Sequence, residues 1–304
     1  MTRRYLPMLV LLALIWGSSF MFIKIAVRDL DPATLVLGRL SVAALTLAVI
    51  VPVTLGGVSR TLAELRGHWV WLAVIGLLNT AVPFWLLSWG ETRIDSGLAS
   101  IIQASVPIFN ALLAFGFFHE QRVSGRSLAG VAVGFVGVAL LVGAQPHAKI
   151  LGAIAVVDMA TCYAAGGLLV RHHLSAVRPQ AVALGSTVVA ALALVPTGVT
   201  FAPGHVPGWE PIASVVFLGV VGTAFAYLLF YTLIAGAGSA YASLVTYLVP
   251  PVALAYGAVF LHEHIGWPAI AGLVLILTGV SLGTARRRRS SAQSALVAAP
   301  SEPV

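Results

Sequence analysis

The sequence predicts an all-α polytopic membrane protein in which ten transmembrane helices form two inverted five-helix repeats. Three observations carry this expectation. The chain has 304 residues, of which 59% are hydrophobic and 9% charged, and its mean hydropathy is +0.99. Soluble domains carry about 25% charged residues, so this composition cannot be hidden in one soluble core, and it excludes disorder, collagen and coiled coil. Apolar runs of about 20 residues, the length that spans a bilayer, recur along the chain. The second half of the sequence also repeats the first at a nearly constant offset. The single cysteine, Cys162, excludes a disulfide framework within the chain. A net charge of +7 does not point to nucleic acid, because the basic residues stand between apolar runs and in a terminal cluster from Arg286 to Arg289.

The first span covers residues 6–27. Arg3 and Arg4 before it and Gly17-Ser18-Ser19 within it resemble a signal peptide, but the apolar run resumes at Phe20, so the stretch reads as a helix that stays. Spans follow at 32–55, 69–89, 96–118, 127–142, 150–170, 179–199, 211–234, 239–261 and 268–284, most separated by proline or by Ser/Gly clusters, as helix starts and stops should be. Only the polar stretch 119–126 divides the fourth from the fifth. The domains are thus a first repeat over 1–144, a second over 148–285 and a polar tail over 286–304. With the N-terminus inside, the cytoplasmic segments hold Arg3, Arg4, Arg60, Arg66, Arg122, Arg126, Arg171, Arg178 and the four tail arginines. The outer segments hold only Lys24, Arg28, Arg93 and Lys149. This bias places both termini in the cytoplasm and predicts a multi-pass protein of the cell inner membrane.

The repeat is read residue by residue. At an offset of 143, Gly76 falls on Gly219, Thr80 on Thr223, Ala81 on Ala224, Ser96 on Ser239, Ser100 on Ser243, Pro107 on Pro250 and Glu120 on Glu263. Gly130 and Gly137 match Gly272 and Gly279 after a one-residue gap. At 147, Trp16 falls on Tyr163, Lys24 on Arg171, Pro32 on Pro179 and Gly38 on Gly185. Five spans per half force the second half to enter the membrane in the opposite direction, an arrangement that gives transporters two related conformations.

These residues resemble the EamA-type branch of the drug/metabolite transporter superfamily. The likeness lies in Trp16-Gly17-Ser18-Ser19-Phe20 with Lys24, in Arg39, in the Pro107…Glu120 and Pro250…Glu263 pairs, and in the paired glycines. It covers about residues 6–284 in two tandem units. Tyr163 stands where the first half has Trp16, and Ser186 where it has Arg39. The resemblance implies export of small metabolites, and the similarity to aromatic amino-acid exporters implies amino acids as solutes.

Residues three or four apart share a helix face. Thr80, Phe84 and Ser88 form such a face in the third span and Thr223, Tyr227 and Tyr231 the matching one in the eighth. Ser96, Ser100, Gln103, Pro107 and Asn110 line the fourth span, and Ser239, Ser243, Thr246 and Pro250 the ninth. Helix–helix hydrogen bonding explains any one of these; together they predict a cavity, with Gln103, Asn79, Tyr227 and Tyr231 foremost. Pro83, Pro107 and Pro250-Pro251 each remove a backbone donor, which makes either a simple kink or a hinge whose freed carbonyls hold an ammonium group. Trp16, Trp85, Trp89, Tyr163 and Tyr247 could pack on an apolar side chain, whereas Trp69 and Trp71 mark the membrane interface. Gly130-x-x-x-Gly134 and Gly279-x-x-x-Gly283 predict docking of the fifth and tenth helices on their own halves rather than a dimer. Glu120 and Glu263, beside His119 and His262, read as caps of the following helix rather than as a proton relay.

Arg39 and Asp158 are the plainest intramembrane charges. At 1.5 Å per residue they lie about 10 and about 12 Å from the outer ends of their helices. Each alone costs up to about 3 kcal/mol at such a depth, which predicts an ion pair or shared polar network. There is no Walker-type phosphate loop and no His-Glu-x-x-His, and His262-Glu263-His264 has the wrong spacing for metal ligands on one helix face. The reading is therefore a transporter and not an enzyme, without cofactor or metal, whose partners are a small-molecule substrate and the bilayer. The alternatives are a nucleotide-sugar or sugar-phosphate carrier, which needs more cavity cations than Arg39, and a membrane-embedded enzyme or scaffold.

Overall fold

The structure is a computed structural model and describes residues 2–116 and 125–297. Eleven helices are present among them. They are α1 Leu6–Ala26, α2 Pro32–Leu55, α3 Val58–Gly67, α4 Trp69–Glu91, α5 Ser96–Gly116 and α6 Gly125–Gly143 in the first half. In the second half they are α7 His147–His173, α8 Pro179–Thr200, α9 Trp209–Ala237, α10 in two pieces, Ser239–Ala242 and Val245–Phe260, and α11 Trp267–Val297. Seven helices are long and apolar enough to cross a membrane, and Leu128–Gly143, Val245–Phe260 and Trp267–Leu282 are shorter apolar helices.

Local chemistry sets the boundaries. Pro32 and Pro179 open α2 and α8, where the missing N–H costs nothing. The Asp31 carboxylate accepts from Ala33 N at 2.8 Å, and Gly56, at φ 82°, closes α2 in the left-handed region. Along α2, Leu40, Ala43, Leu47 and Val51 are fully buried, while Leu45, Val49 and Val53, four apart, are 70 to 81% exposed. A bare apolar row of this kind suits lipid, not water.

Three features differ from the sequence expectation. The amphipathic α3 was not foreseen, because its polar residues break the apolar run. The polar tail continues α11 as helix to Val297, since no proline or glycine follows Gly283 in that stretch. The fourth and ninth spans (α5 and α10) are interrupted at Ala104–Ser105 and Ser243–Leu244 respectively, whereas the helix runs unbroken through Pro250 and Pro251.

The helices pair across the two halves. α6 packs on α11, α2 on α8 and α5 on α10; α1 meets α10 as α7 meets α5, and α1 meets α9 as α7 meets α4. The same exchange holds at atomic level. A Cβ on Gly76 would lie 2.7 Å from the Ser186 carbonyl oxygen and one on Gly219 2.8 Å from that of Arg39. Those residues are repeat equivalents, so one contact is built twice with the halves interchanged. The paired glycines dock α6 and α11 on one another, not each on its own half: a Cβ on Gly279 would lie 2.6 Å from Gly134 N. Backbones approach this closely only where side chains are small.

Candidate functional site

Two matched irregularities mark the centre of the bundle. Leu77–Ala81 in α4 and Val220–Phe225 in α9 are π-helical turns at equivalent positions of the repeat. In α4, Pro83 offers no N–H to the Asn79 carbonyl. In α9, the Thr223 hydroxyl donates to the Leu218 carbonyl at 2.8 Å and so takes part of the ladder's acceptor capacity. Such turns loosen a helix locally and re-aim its side chains.

Arg39 reaches between them. It is 5% exposed, its Nε donates to Thr223 Oγ1 at 2.9 Å, and its guanidinium carbon lies 4.0 Å from the centre of the Phe84 ring. A cation desolvated over an aromatic face gains about 2 kcal/mol. Tyr163, Tyr227 and Glu91 are its electrostatic neighbours. Tyr163 stands edge-on to Phe84 at 6.5 Å, Tyr227 is 6.1 Å from Tyr231, and Trp16 is 5.4 Å from Phe230. The hydrogen bond to Thr223 uses Nε, so the terminal N–H pair, the fork that matches a carboxylate, is left for another acceptor. The arrangement can hold one carboxylate beside an aromatic surface.

Comparison with known proteins decides the family. The EamA-like transporter family model matches residues 3–143 and again 150–284. The chain belongs to the EamA-like transporter family. It is a multi-pass membrane transporter and not an enzyme. It is 32% identical over 293 residues to a probable terminal-alkyne amino-acid exporter of Streptantibioticus cattleyicolor, covering 93% of this chain and 95% of that one. It is 25% identical to a probable amino-acid metabolite efflux pump of Escherichia coli, covering 92% and 94%. An uncharacterized transporter of Archaeoglobus fulgidus is 28% identical, covering 90% and 95%. A solved crystal structure shares the fold at TM-score 0.64 and 18% identity, over 93% of this chain and 96% of that one.

In this EamA-family transporter the structure brings Trp16, Arg39, Phe84, Tyr163, Thr223, Tyr227 and Tyr231 into one region. Thr80 is buried in the α4 π turn, and Asn79 beside it packs on α7, where a Cβ on Gly166 would come within 2.6 Å of its side chain. Ser100 turns its hydroxyl to its own helix, donating to the Gly97 carbonyl at 2.6 Å. Gln103, Pro107 and Thr246 are half-buried, Pro83 and Pro250 buried, and Ser243 is exposed. Trp85 and Trp89 stack on each other, and Arg93 covers Trp89 at 3.5 Å, so these two indoles are not in the Arg39 cluster.

The expected Arg39–Asp158 pair is not formed. Arg39 contacts Thr223 and Phe84, while Asp158 is exposed and has Cys162 as its electrostatic neighbour. Depth had been matched but not rotation. Asp158 and Tyr163 are five residues apart, which turns them about 140° from each other around α7, and it is Tyr163 that faces the cluster.

The sequence reading also placed Glu263 on the wrong helix. Its carboxylate accepts from Ser96 N at 2.8 Å, Ser96 Oγ at 2.9 Å and Gly97 N at 3.0 Å, so it caps α5 of the other half instead of the helix that follows it. His262 adopts φ 56° to turn the chain back for this contact. Glu120 and His119 lie outside the described residues. Two polar groups were missed. Lys24, counted as a loop charge, donates to the Glu91 and Ile94 carbonyls at 2.6 and 2.7 Å. Glu91, two residues beyond the span as drawn, is fully buried.

Proposed function

We propose that this EamA-family protein is a ten-span secondary transporter that exports amino acids, aromatic ones among them, by alternating access about the Arg39 centre. The carrying observation is Arg39 itself: one buried guanidinium, bonded to Thr223 through Nε and not through its terminal N–H pair, set among Phe84, Tyr163 and Tyr227, with Tyr231 beside Tyr227. A single guanidinium suits a solute with one carboxylate, and the rings suit an apolar side chain. Two relatives whose names contain amino-acid export or efflux support the solute class.

Seven long and three shorter apolar helices support a reading of ten crossings, and the contacts that recur with the halves exchanged support an inverted pair of five-helix units, 1–144 and 148–285, followed by the tail 286–304. Two units related in this way can rock about a fixed central site. The two π turns and the breaks in α5 and α10 are the places where helices can re-aim. The basic segments orient both termini to the cytoplasm of the inner membrane, and the chain acts as a monomer without cofactor. The experiment is efflux from proteoliposomes loaded with a panel of labelled amino acids. Phenylalanine, tyrosine or tryptophan should leave faster than from protein-free vesicles; equal rates for every amino acid would overturn the solute assignment.

A further inference from the structure

The end of the bundle that carries Lys24 holds two acidic side chains in opposite circumstances. Glu263 accepts three hydrogen bonds. Glu91 is 0% exposed, and neither of its carboxyl oxygens has a hydrogen-bond partner. Ser88, one turn further into the bundle on the same face of α4, is likewise 0% exposed with an unpartnered hydroxyl. The one ammonium nearby, that of Lys24, is spent on the backbone carbonyls of Glu91 and Ile94.

The charged groups around Glu91 are Lys24 from α1, Arg39 from α2 and Glu263 from the α10–α11 connection; α7 brings Tyr163 toward the same face of α4, while its Asp158 is exposed. Lys24 bonds two backbone carbonyls rather than either carboxylate, and Arg39 is held at Thr223. An ionised Glu91 would then be a buried charge without a single donor, which is far more costly than the neutral acid. The repeat equivalent of Glu91 is Ile234, so the group is present in one half only.

We propose that Glu91 is a proton-binding site that couples solute export to proton entry. It holds a proton while the Lys24 end is closed, as in this structure. When the opposite end opens and water reaches Ser88, the Glu91 O–H bond breaks, the proton passes to that water, and the carboxylate draws the Lys24 ammonium away from the two carbonyls. Loss of those two bonds unfastens the connection between α4 and α5, and the Lys24 end can open. A proton from water on that side then re-forms the acid and the end closes. The cycle rests on the alternating-access reading above, with the Lys24 end outside.

The test uses purified full-length protein and two readouts. Infrared difference spectra between acid and alkaline pH should show a protonated-carboxyl C=O band that Glu91→Gln removes and Glu91→Asp displaces. In liposomes, Glu91→Gln, which cannot form the carboxylate that frees Lys24, should lose both counterflow of labelled L-phenylalanine and accumulation driven by an imposed pH gradient, whereas Glu91→Asp should keep both in part. A wild-type band retained in Glu91→Gln overturns the proposal, as does gradient-driven accumulation equal to wild type. If the wild type moves no amino acid, the solute assignment fails while the infrared band still decides whether Glu91 holds a proton.

Discussion

Replacing Arg39 by lysine keeps the charge and removes the fork. If the terminal N–H pair of Arg39 receives a substrate carboxylate, the wild type makes two parallel charge-assisted bonds to it, whereas a lysine ammonium presents a point charge. The loss is one such bond, about 1.5–3 kcal/mol. At 1.4 kcal/mol per decade this weakens apparent affinity for an amino acid about 10- to 100-fold. Lysine also lacks the Nε donor that meets Thr223 at 2.9 Å, so Thr223→Val serves as the control for that contact alone. The assay compares competition by L-phenylalanine and by L-phenylalaninamide, which has no carboxylate, against labelled phenylalanine in counterflow. Wild type should prefer the acid, Arg39→Lys should lose most of that preference, and Thr223→Val should keep it. An undiminished preference in Arg39→Lys would refute the assignment of the fork to the substrate carboxylate.

Further outcomes follow from single contacts. Gly279→Leu should abolish folded yield, because any side chain there meets the α6 backbone at Gly130 and Gly134; size-exclusion profiles in detergent read this directly. Glu263→Gln keeps the shape of the side chain but weakens the cap on Ser96 and Gly97, a loss of about 1–2 kcal/mol that should lower the melting temperature by about 2–8 °C in thermal unfolding. Reporter fusions at Gly56 and Gly204 should report inside and outside respectively; the reversed pair contradicts the orientation.

The residues show what a linear reading can and cannot see. Glycine pairs such as Gly76/Gly219 were legible, because a backbone contact leaves one small residue at a fixed offset. Arg39 was legible because a charge inside an apolar run has no cheap explanation. Its partner was not, since depth along a helix can be counted from sequence but the direction of neighbouring helices cannot, and Asp158 was paired with it on depth alone. The Ser/Thr stripes were read as cavity lining, yet Ser100 bonds its own helix at Gly97, and the interruption at Ser243–Leu244 breaks the regular spacing that defined the second stripe. Glu91 was missed for a simpler reason: the span was ended at Trp89, although α4 runs on to Glu91. The π turns carry no sequence signal that distinguishes them from ordinary helix, apart from Pro83 two residues beyond the first of them.

Counterflow bears most directly on the Arg39 centre as the route of amino-acid export. Liposomes loaded with unlabelled L-phenylalanine and diluted into labelled L-phenylalanine should accumulate label transiently when they contain the wild-type protein. Those containing equally folded Arg39→Ala should not. Transient accumulation by Arg39→Ala equal to that of the wild type would contradict the account.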